Sequence, residues 1–441
     1  MNEWYTSYIM WILTLLLLFI MSTTTATTTI CTQQDTNMYL EPDFRQNIAS
    51  HCDMTKLSSS DIEEMNRWSE ERTKHVDRAV CRKEMKKELQ EEWLHINRQD
   101  ICDFSKYIMP TFPDQSFLTP DFRRETLNTA TKPILAFFII VYRQPEFLER
   151  MIARLQSEDA RHMILIHIDV KSSYSFELSV KRIVSKIPNV RVVRFGSIVY
   201  GSSTVVQYVT SAMRYFEENY PHWDFFIPLT GQDYPLLSAS QFARVLTYVG
   251  NRTWVIGSED YKECGTVDKR GKVESPTLQP QIGRTTHFHY PCNQNGESKL
   301  HRLKTRKAWL FDDEESFLFC KGTTMSSGIF HRNEVKMFVN DLNARKAYAF
   351  FRHTMIPEEH IWVSILTNLV SKDRVVERAP CFMSWTMGAG SDGIHNTFLT
   401  MKQVDLIKEA FRQGKVFARK FDMSVDSDIL DWIDAGGLIS D

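Results

Sequence analysis

Residues 134–142 read Ile134-Leu135-Ala136-Phe137-Phe138-Ile139-Ile140-Val141-Tyr142, an unbroken apolar run. A short run without polar alternation is typical of a strand that is buried on both faces of a sheet. Helical and apolar segments then alternate along the chain: helix 145–155, strand 163–168, helix 176–186, strand 190–194, helix 204–220 and strand 225–229. This alternation predicts parallel βαβ units in a doubly wound α/β sheet, whose ligands bind at the carboxyl ends of the strands.

Size, charge and motifs exclude several classes of protein. At 441 residues, we expect one large domain with appendages. Neither G-x-G-x-x-G nor G-x-x-x-x-G-K-[ST] follows the first strand, which argues against a dehydrogenase and against a P-loop enzyme. The 53 basic and 55 acidic side chains leave a net charge of −2, so nothing in the charge balance indicates a nucleic-acid partner.

The N-terminus carries an apolar segment over residues 4–21, eighteen residues that suffice to cross a bilayer core of roughly 30 Å. The preceding residues include Glu3 but neither Lys nor Arg, whereas both a signal peptide and a signal anchor usually have a basic flank. A cleaved signal cut within residues 22–26 is the alternative to an anchor, and we expect the anchor. Either outcome places the rest of the chain in the lumen or outside the cell.

The cysteines point to an oxidising compartment. None of the eight forms a C-x-x-C pair, so we expect disulfides and no metal cluster. Eight cysteines allow ~105 complete pairings, and sequence alone does not choose among them. One sequon, Asn251-Arg252-Thr253, is a glycosylation acceptor in such a compartment.

Composition divides the chain into three parts. Residues 1–22 form a short tail and the signal anchor, and residues 23–131 form a lumenal stem that begins with a threonine-rich stretch. Within the stem, residues 61–100 combine dense charge with spaced apolar positions, which predicts two amphipathic helices with a solvated face and no chemistry. Residues 132–441 form the α/β domain.

Two carboxylates follow predicted strands. Asp169 comes directly after the second strand, where it can accept hydrogen bonds from a ribose or uridine or simply belong to a polar loop. Asp233 lies in the turn Leu229-Thr230-Gly231-Gln232-Asp233-Tyr234-Pro235, where it can face a cleft or cap a helix that begins near Ser238.

Two further stretches carry charged pairs. Glu358 and Glu359 follow Pro357, so they can be favoured by the dipole of a helix that begins there, or one of them can act as a general base on a sugar hydroxyl. Arg419 and Lys420 lie in Phe417-Ala418-Arg419-Lys420-Phe421-Asp422, where they suit a diphosphate or form an ordinary surface basic pair.

From about residue 133 to residue 422, the order of these motifs resembles the branching-enzyme family. This family contains the core 2 and I-branching β-1,6-N-acetylglucosaminyltransferases and the peptide O-xylosyltransferases. The matching stretches are 138–142, His167-Ile168-Asp169-Val170-Lys171, Val199-Tyr200-Gly201-Ser202, 229–235, Ser327-Gly328-Ile329-Phe330-His331-Arg332, Pro357-Glu358-Glu359-His360-Ile361-Trp362, and 417–422.

The resemblance implies a role for each matching residue. Glu359 corresponds to the family's catalytic base, and Asp169 and Tyr200 correspond to contacts with the donor nucleotide. Lys420 corresponds to a basic residue on the UDP diphosphate, and Trp385 corresponds to an aromatic that lines the acceptor site.

The resemblance also implies a GT-A-type domain that needs no metal cofactor. No Asp-x-Asp lies between residues 133 and 420, and Asp426-Ser427-Asp428 falls after the catalytic stretch, where we expect a solvated tail. The family's arginine that partners the lysine on the diphosphate is missing from residues 393–397, so His395 or Arg419 is the candidate substitute. Met387 replaces an aromatic near the acceptor tryptophan, and the cysteine spacing differs from that of the vertebrate enzymes.

We therefore expect an inverting glycosyltransferase of the Golgi membrane with a lumenal catalytic domain. Its donor would be UDP-N-acetylglucosamine, its acceptor an O-glycan or glycoprotein, and its linkage of the β-1,6 branching type. A UDP-xylose or UDP-glucose transferase on the same scaffold is the alternative among enzymes. If the protein is not an enzyme, the alternative is a catalytically silent member of the family that binds glycans. The alternative location is outside the cell, after cleavage of the signal.

Overall fold

A computed structural model describes residues 51–76, 79–107, 109–120, 133–156, 162–255, 263–265, 284, 287–294, 297–305, 317–322, 328–385 and 396–438. Ile48–Asp441 forms one compact unit. The predicted domain boundary near residue 131 lies outside the described residues, as does the predicted anchor over residues 4–21. No helix within the described ranges is both long enough and apolar enough to cross a bilayer.

The described strands are β1 (Leu135–Val141), β2 (Met163–Ile168), β3 (Val190–Val193), β4 (Phe225–Thr230), β5 (Asp233–Pro235), β6 (Thr253–Val255), β7 (Glu263–Gly265), β8 (His287–Gln294), β9 (Glu297–Thr305), β10 (Phe319–Lys321), β11 (Gly328–His331), β12 (Val375–Glu377), β13 (Cys381–Met383) and β14 (Phe417–Arg419). Seven of them form the central sheet in the order β12-β6-β11-β4-β1-β2-β3. The four strands predicted from sequence are all present.

The predicted parallel sheet is correct for only part of this architecture. β1 pairs in parallel with β2 and β4, and β2 pairs in parallel with β3. β11, however, lies between β4 and β6 and runs antiparallel to both. The sheet is therefore mixed. A strand's direction depends on the path of the connection before it, which the apolar pattern of Gly328-Ile329-Phe330-His331 does not encode.

The described α-helices are α1 (Ser59–Thr73), α2 (Ala79–Asn97), α3 (Pro145–Gln156), α4 (Tyr174–Val184), α5 (Thr204–Asn219), α6 (Ala239–Val249), α7 (Arg332–Asn340), α8 (Leu342–Phe351), α9 (Ile361–Leu369), α10 (Val404–Arg412) and α11 (Asp428–Asp434). The ends of α3, α4 and α5 lie within two residues of the ends predicted from the sequence. α4 begins two residues before its predicted start because the Ser173 hydroxyl accepts a hydrogen bond from the Phe176 N–H and so caps the helix.

β1 lies at the centre of the hydrophobic core. All seven of its residues are buried. Ala136, Phe138 and Ile140 pack into one core cluster, together with α5, α7 and α8. The intervening residues of β1, including Phe137 and Ile139, pack into a second cluster with α3, α4 and α6. Because successive side chains of a strand point to opposite faces, the continuous apolar run supplies both layers.

The N-terminal helices differ from their prediction in one respect. The two expected helices, α1 and α2, are present, but α2 does not present a purely solvated polar face. Glu88, Glu91, Glu92 and His95 are buried on it. The reason is tertiary: part of this polar face meets a buried arginine of the α/β domain and so is shielded from water, a contact that helical periodicity cannot reveal.

Three disulfides join six of the seven cysteines in the described part of the chain: Cys52–Cys102, Cys81–Cys292 and Cys264–Cys320. The disulfide prediction is thus confirmed for these residues. Cys381 is a buried free thiol, and burial and the nearby Asp233 raise its pKa well above the ordinary value. Cys31 lies outside the described residues.

Candidate active site

Asp169 follows β2 at the carboxyl edge of the central sheet. Its side chain is buried, with Oδ1 accepting from the N–H of Lys171 at 2.9 Å and Oδ2 accepting from the N–H of Ile198 at 3.1 Å. Its own N–H donates to the carbonyl of Val141. Asp169 therefore ties together the loops that follow β1, β2 and β3. The Lys171 ammonium also lies 3.5 Å from Oδ2. A carboxylate oxygen can accept a second hydrogen bond, and the implied contact with a nucleotide stays a prediction.

Asp233 and Arg419, both candidates for supporting roles, face each other across paired strands. β5 and β14 run antiparallel with Asp233 opposite Arg419, and Nη1 of Arg419 lies 3.5 Å from Oδ1 of Asp233. Oδ2 of Asp233 also accepts from the N–H and the hydroxyl of Thr230. The alternative that Asp233 caps the next helix is wrong. Ser238 caps α6 itself through a reciprocal pair of hydrogen bonds with Gln241.

Lys420 and Trp385 emerge from the same end of a small sheet. β13 runs parallel to β14 with Met383 opposite Arg419, so the residues that follow the two strands leave the sheet side by side. Trp385 is half exposed, as expected for a side chain that meets a ligand. The ammonium of Lys420 lies 5.4 Å from the centre of the Phe398 ring, within reach of a cation–π contact.

Arg143 joins this region from the end of β1. Its Nη2 donates to Oδ2 of Asp422 at 2.8 Å, and Gln144 donates to Oδ1 of the same carboxylate. Burial opposes the charge on Asp422, but hydrogen bonds from Ser424 and Gln144, together with the Arg143 charge, lower its pKa. Because Asp422 lies two residues after Lys420, this network brings a second cation to the segment that carries the lysine. The sequence stretch 138–142 stops one residue short of Arg143.

Glu359 lies on a short loop that joins α8 to α9. Its Oε2 accepts from Nη1 of Arg284 at 2.6 Å, and both side chains are largely but not fully buried. Within the described part of the chain, no hydrogen bond engages Oε1. One carboxylate oxygen is thus held by a cation, and the other remains for a ligand. No motif in the sequence identified Arg284.

The expected helix start at Pro357 is wrong in detail. Pro357–Glu359 forms one 3-10 turn, and α9 begins only at Ile361. His360 separates the two with a non-helical backbone (φ −124°, ψ −48°), and its Nδ1–H donates to the carbonyl of Cys320. Burial lowers the pKa of His360 to about 3, so the ring stays neutral beside the carboxylates. The glutamates are therefore positioned by a loop and do not form the first turn of an α-helix.

The two glutamates have different environments. Oε2 of Glu358 is buried and has no hydrogen-bond partner among the described residues. Burial and the neighbouring charge of Glu359 raise the pKa of Glu358 to about 8. Glu358 is consequently a protonated acid at neutral pH, whereas Glu359 is paired with a cation. Only Glu359 combines an ion-pair partner with an unengaged oxygen.

The loop that carries Tyr200 contacts the loop that carries Glu359. Tyr200 is 69 % exposed, and the next residue, Gly201, adopts a φ of +76°. The carbonyl of Gly201 accepts from the N–H of Ile356 at 2.7 Å. Residues other than glycine rarely adopt this left-handed backbone, and a Cβ at position 201 would lie only 3.3 Å from the side chain of Leu300. Glycine is therefore the residue that best allows the two loops to approach.

The remaining predictions concern His395, Asn251 and the stretch 426–428. His395 lies outside the described residues. Asn251 is exposed two residues before β6, as a glycosylation acceptor must be. Asp426-Ser427-Asp428 is partly exposed, as expected, but it is not a tail, because Oδ1 of Asp426 accepts from the N–H of Asp428 at the start of α11 and Oδ2 accepts from the N–H of Met401.

One group of potential metal ligands comes together in the described residues: His51, Cys52, His95 and Cys102, whose ligand atoms lie within 4.8 Å of one another. The two sulfur atoms are bonded to each other in a disulfide and are therefore not thiolate ligands.

Comparison with known proteins identifies the family. The model of the Core-2/I-Branching enzyme family matches residues 135–408, well over half of the chain. This range includes β1 and the Glu359 loop but ends before Lys420.

Two curated relatives illustrate the similarity. The mouse (Mus musculus) beta-1,3-galactosyl-O-glycosyl-glycoprotein beta-1,6-N-acetylglucosaminyltransferase 3 is 22 % identical over 265 residues, which cover 60 % of this chain and 50 % of the relative. Human (Homo sapiens) xylosyltransferase 1 is 22 % identical over 318 residues, which cover 68 % of this chain and 30 % of the relative. The chain thus spans half or less of the length of these relatives.

Solved structures resemble the chain only loosely. Residues 1–349 of S. aureus TarS in complex with UDP give a TM-score of 0.26 at 9 % identity, with 54 % of this chain and 67 % of that chain covered. Core-mannan synthase A from Aspergillus fumigatus gives a TM-score of 0.28 at 12 % identity, with 60 % and 79 % covered. Both TM-scores are too low to support a structural relationship. The match to the family model shows that this chain is a member of the Core-2/I-branching enzyme family of glycosyltransferases.

Proposed function

We propose that this protein transfers a sugar from a UDP-sugar to a glycan hydroxyl with inversion at the anomeric carbon, and that Glu359 is the general base. The observation that supports this most directly is the state of the Glu359 carboxylate. Arg284 holds Oε2 at 2.6 Å, while Oε1 carries no hydrogen bond from the described residues. A base needs both a fixed orientation and a free lone pair within hydrogen-bond reach of the proton it accepts.

In this mechanism Oε1 of Glu359 accepts the proton of an acceptor hydroxyl. The acceptor oxygen forms a bond to the anomeric carbon from the face opposite the diphosphate. The bond from that carbon to the diphosphate oxygen breaks, and UDP leaves with the electron pair. General-base catalysis of this kind typically contributes ~10²–10⁴-fold in rate.

Charge that develops on the leaving diphosphate must be stabilised. We assign this role to Lys420, because an ammonium acts on phosphate as a compact point charge and needs no metal cofactor beside it. Arg143 is the better candidate for a second cation. It is 43 % exposed and linked to the Lys420 segment through Asp422, whereas the guanidinium of Arg419 is 12 % exposed and paired with Asp233.

The relatives support candidates for the donor and the acceptor. The beta-1,6-N-acetylglucosaminyltransferase among them supports UDP-N-acetylglucosamine as the donor and an O-glycan hydroxyl as the acceptor. We further propose that Trp385 lines the acceptor site and that Asp169 and Tyr200 contact the nucleotide. The xylosyltransferases support UDP-xylose as the second candidate donor. We propose a Golgi membrane location, with the anchor in residues 4–21 and the catalytic domain in the lumen.

The decisive experiment measures UDP release by the lumenal segment with a panel of UDP-sugars and glycan acceptors. We expect acceptor-dependent release with UDP-N-acetylglucosamine. Release with UDP-xylose alone would replace the donor and keep the mechanism. If every donor gives only the rate of the no-enzyme control while UDP and glycans still bind, the protein is a glycan-binding member of the family and the proposal fails.

A further inference from the structure

Arg352, at the end of α8, is buried against the N-terminal helix α2. Its Nη2 donates to Oε2 of both Glu88 and Glu91, the latter at 3.2 Å, and its Nη1 donates to the hydroxyl of Tyr107 at 3.3 Å. The neighbouring His353 places Nε2 3.3 Å from Oε2 of Glu88. A guanidinium can satisfy several acceptors at once in a fixed planar geometry, so these contacts set its orientation.

Two carboxylates in this cluster contact the same guanidinium. Burial alone would raise the pKa of Glu88, but the Arg352 and His353 side chains outweigh it and lower that pKa. Burial raises the pKa of Glu91, and the charge of Glu88 adds to this effect. Glu88, which contacts both Arg352 and His353, is therefore the principal acidic partner in the cluster. Without Glu88, Arg352 keeps Glu91 as an acidic partner but loses the carboxylate that it shares with His353, so the contacts that orient its guanidinium change.

α2 is fixed to the α/β domain by more than this ion pair. The disulfide Cys81–Cys292 links it covalently to β8. Met85 and Leu89 pack in one apolar cluster with Phe288 and Tyr290 of the same strand. Helix α2, which the composition assigns to a stem, is thus joined to β8 by a disulfide and by apolar packing.

The chain that leaves Arg352 is the loop that carries Glu359. The carbonyl of His353 accepts from the N–H of His289 in β8, and the N–H of Ile356 donates to Gly201. Ile356 has a φ of +51°, a left-handed backbone that a β-branched residue rarely adopts. Such a conformation persists only where the surrounding contacts over-determine it. The anchors on both sides of Ile356 therefore control where the next turn places Glu359.

We propose that Glu88 and Arg352 are positioning residues for Glu359, so that α2 belongs to the catalytic machinery and is not merely a spacer. This inference rests on the proposed role of Glu359 as the base. Glu88 itself is buried and contacts Arg352 and His353. It acts by holding Arg352, which fixes the start of the base-bearing loop, and a shift of about 1 Å in a reacting group can cost ~10²-fold in rate.

The test compares two charge removals on the N-terminal helices. Glu88→Gln removes the buried partner of Arg352, and Glu70→Gln removes the exposed partner of Lys86, which pairs α1 with α2. We expect Glu88→Gln to lower kcat by ~10-fold or more while the KM for the UDP-sugar and the Kd for UDP change by less than ~2-fold. Glu70→Gln should leave all three unchanged. Unaltered kcat in folded Glu88→Gln protein would overturn the proposal.

A double variant separates positioning from general damage. If Glu88 acts through Glu359, adding Glu88→Gln to Glu359→Gln should leave the residual rate unchanged. A further drop by the same factor as in the wild-type background would overturn the inference and leave the proposed base intact. Wild-type turnover in Glu359→Gln would instead refute the proposed function.

Should Glu88→Gln fail to fold, Arg352→Lys replaces it. This variant keeps the charge and loses the fork that contacts both carboxylates. We expect a lowered kcat at unchanged UDP affinity, and unchanged kcat would again contradict the proposal.

Discussion

Glu358 allows a test of how the two adjacent acids differ. Its carboxyl is partly enclosed, and burial together with the Glu359 charge raises its pKa from the ordinary 4.5 to about 8. The unfolded chain loses this proton near pH 4.5, whereas the folded protein keeps it until about pH 8. The stability that this group contributes is therefore complete at low pH and is lost as the pH rises between these values.

Glu358→Gln replaces the protonated acid with a neutral side chain of the same shape. The pKa difference corresponds to ~5 kcal/mol at most, and because the residue is only partly buried we expect ~1–3 kcal/mol. The free energy of unfolding of the variant, relative to wild type, should rise by this amount between pH 5 and pH 8.5.

The measurement is urea unfolding followed by tryptophan fluorescence at both pH values. Glu64→Gln, which changes an exposed acid on α1, is the matched control and should show no such trend. If the difference between Glu358→Gln and wild type is the same at both pH values, Glu358 is not held as a neutral acid, and the contrast drawn between the two glutamates is wrong.

Three further predictions concern the leaving group, the acceptor and the disulfides. Activity should survive excess EDTA, and Lys420→Ala should weaken UDP binding as well as turnover; loss of activity in EDTA with rescue by Mn²⁺ would contradict the assigned leaving-group chemistry. Trp385→Ala should raise the KM for the acceptor ~10-fold and leave UDP affinity unchanged, as expected for an aromatic that contacts only the acceptor, and a change in UDP affinity alone would refute that role. Mass mapping without reduction should recover the three disulfides, each typically worth ~2–4 kcal/mol, and mostly free thiols would contradict the lumenal location. The expected peptide pairs are Cys52–Cys102, Cys81–Cys292 and Cys264–Cys320.

Much of the α/β core was predictable because its signals are local. The apolar run of β1 and the periodicity of the helices around it depend on neighbouring residues, and their observed bounds lie within two residues of the predicted ones. The antiparallel direction of β11 was not predictable, since it depends on the long connection before it.

The site was predictable where a motif carried it. The stretch Pro357-Glu358-Glu359 marked the two acids, and the order of the motifs indicated the family. Arg284 and Arg143 were missed because each acquires its role only through a partner distant in the sequence, Glu359 and Asp422. The burial of Glu88 was missed for the same reason, since its partner Arg352 is 264 residues away.

Turnover of Glu359→Gln tests the central claim most directly. The variant preserves the shape of the side chain and removes its capacity to accept a proton. UDP release with the best donor and acceptor should fall by at least ~10²-fold while the Kd for UDP stays within ~2-fold of wild type, and Glu358→Gln at neutral pH should retain most of the activity. Wild-type turnover in Glu359→Gln, or a larger loss in Glu358→Gln, would contradict the assignment of Glu359 as the catalytic base.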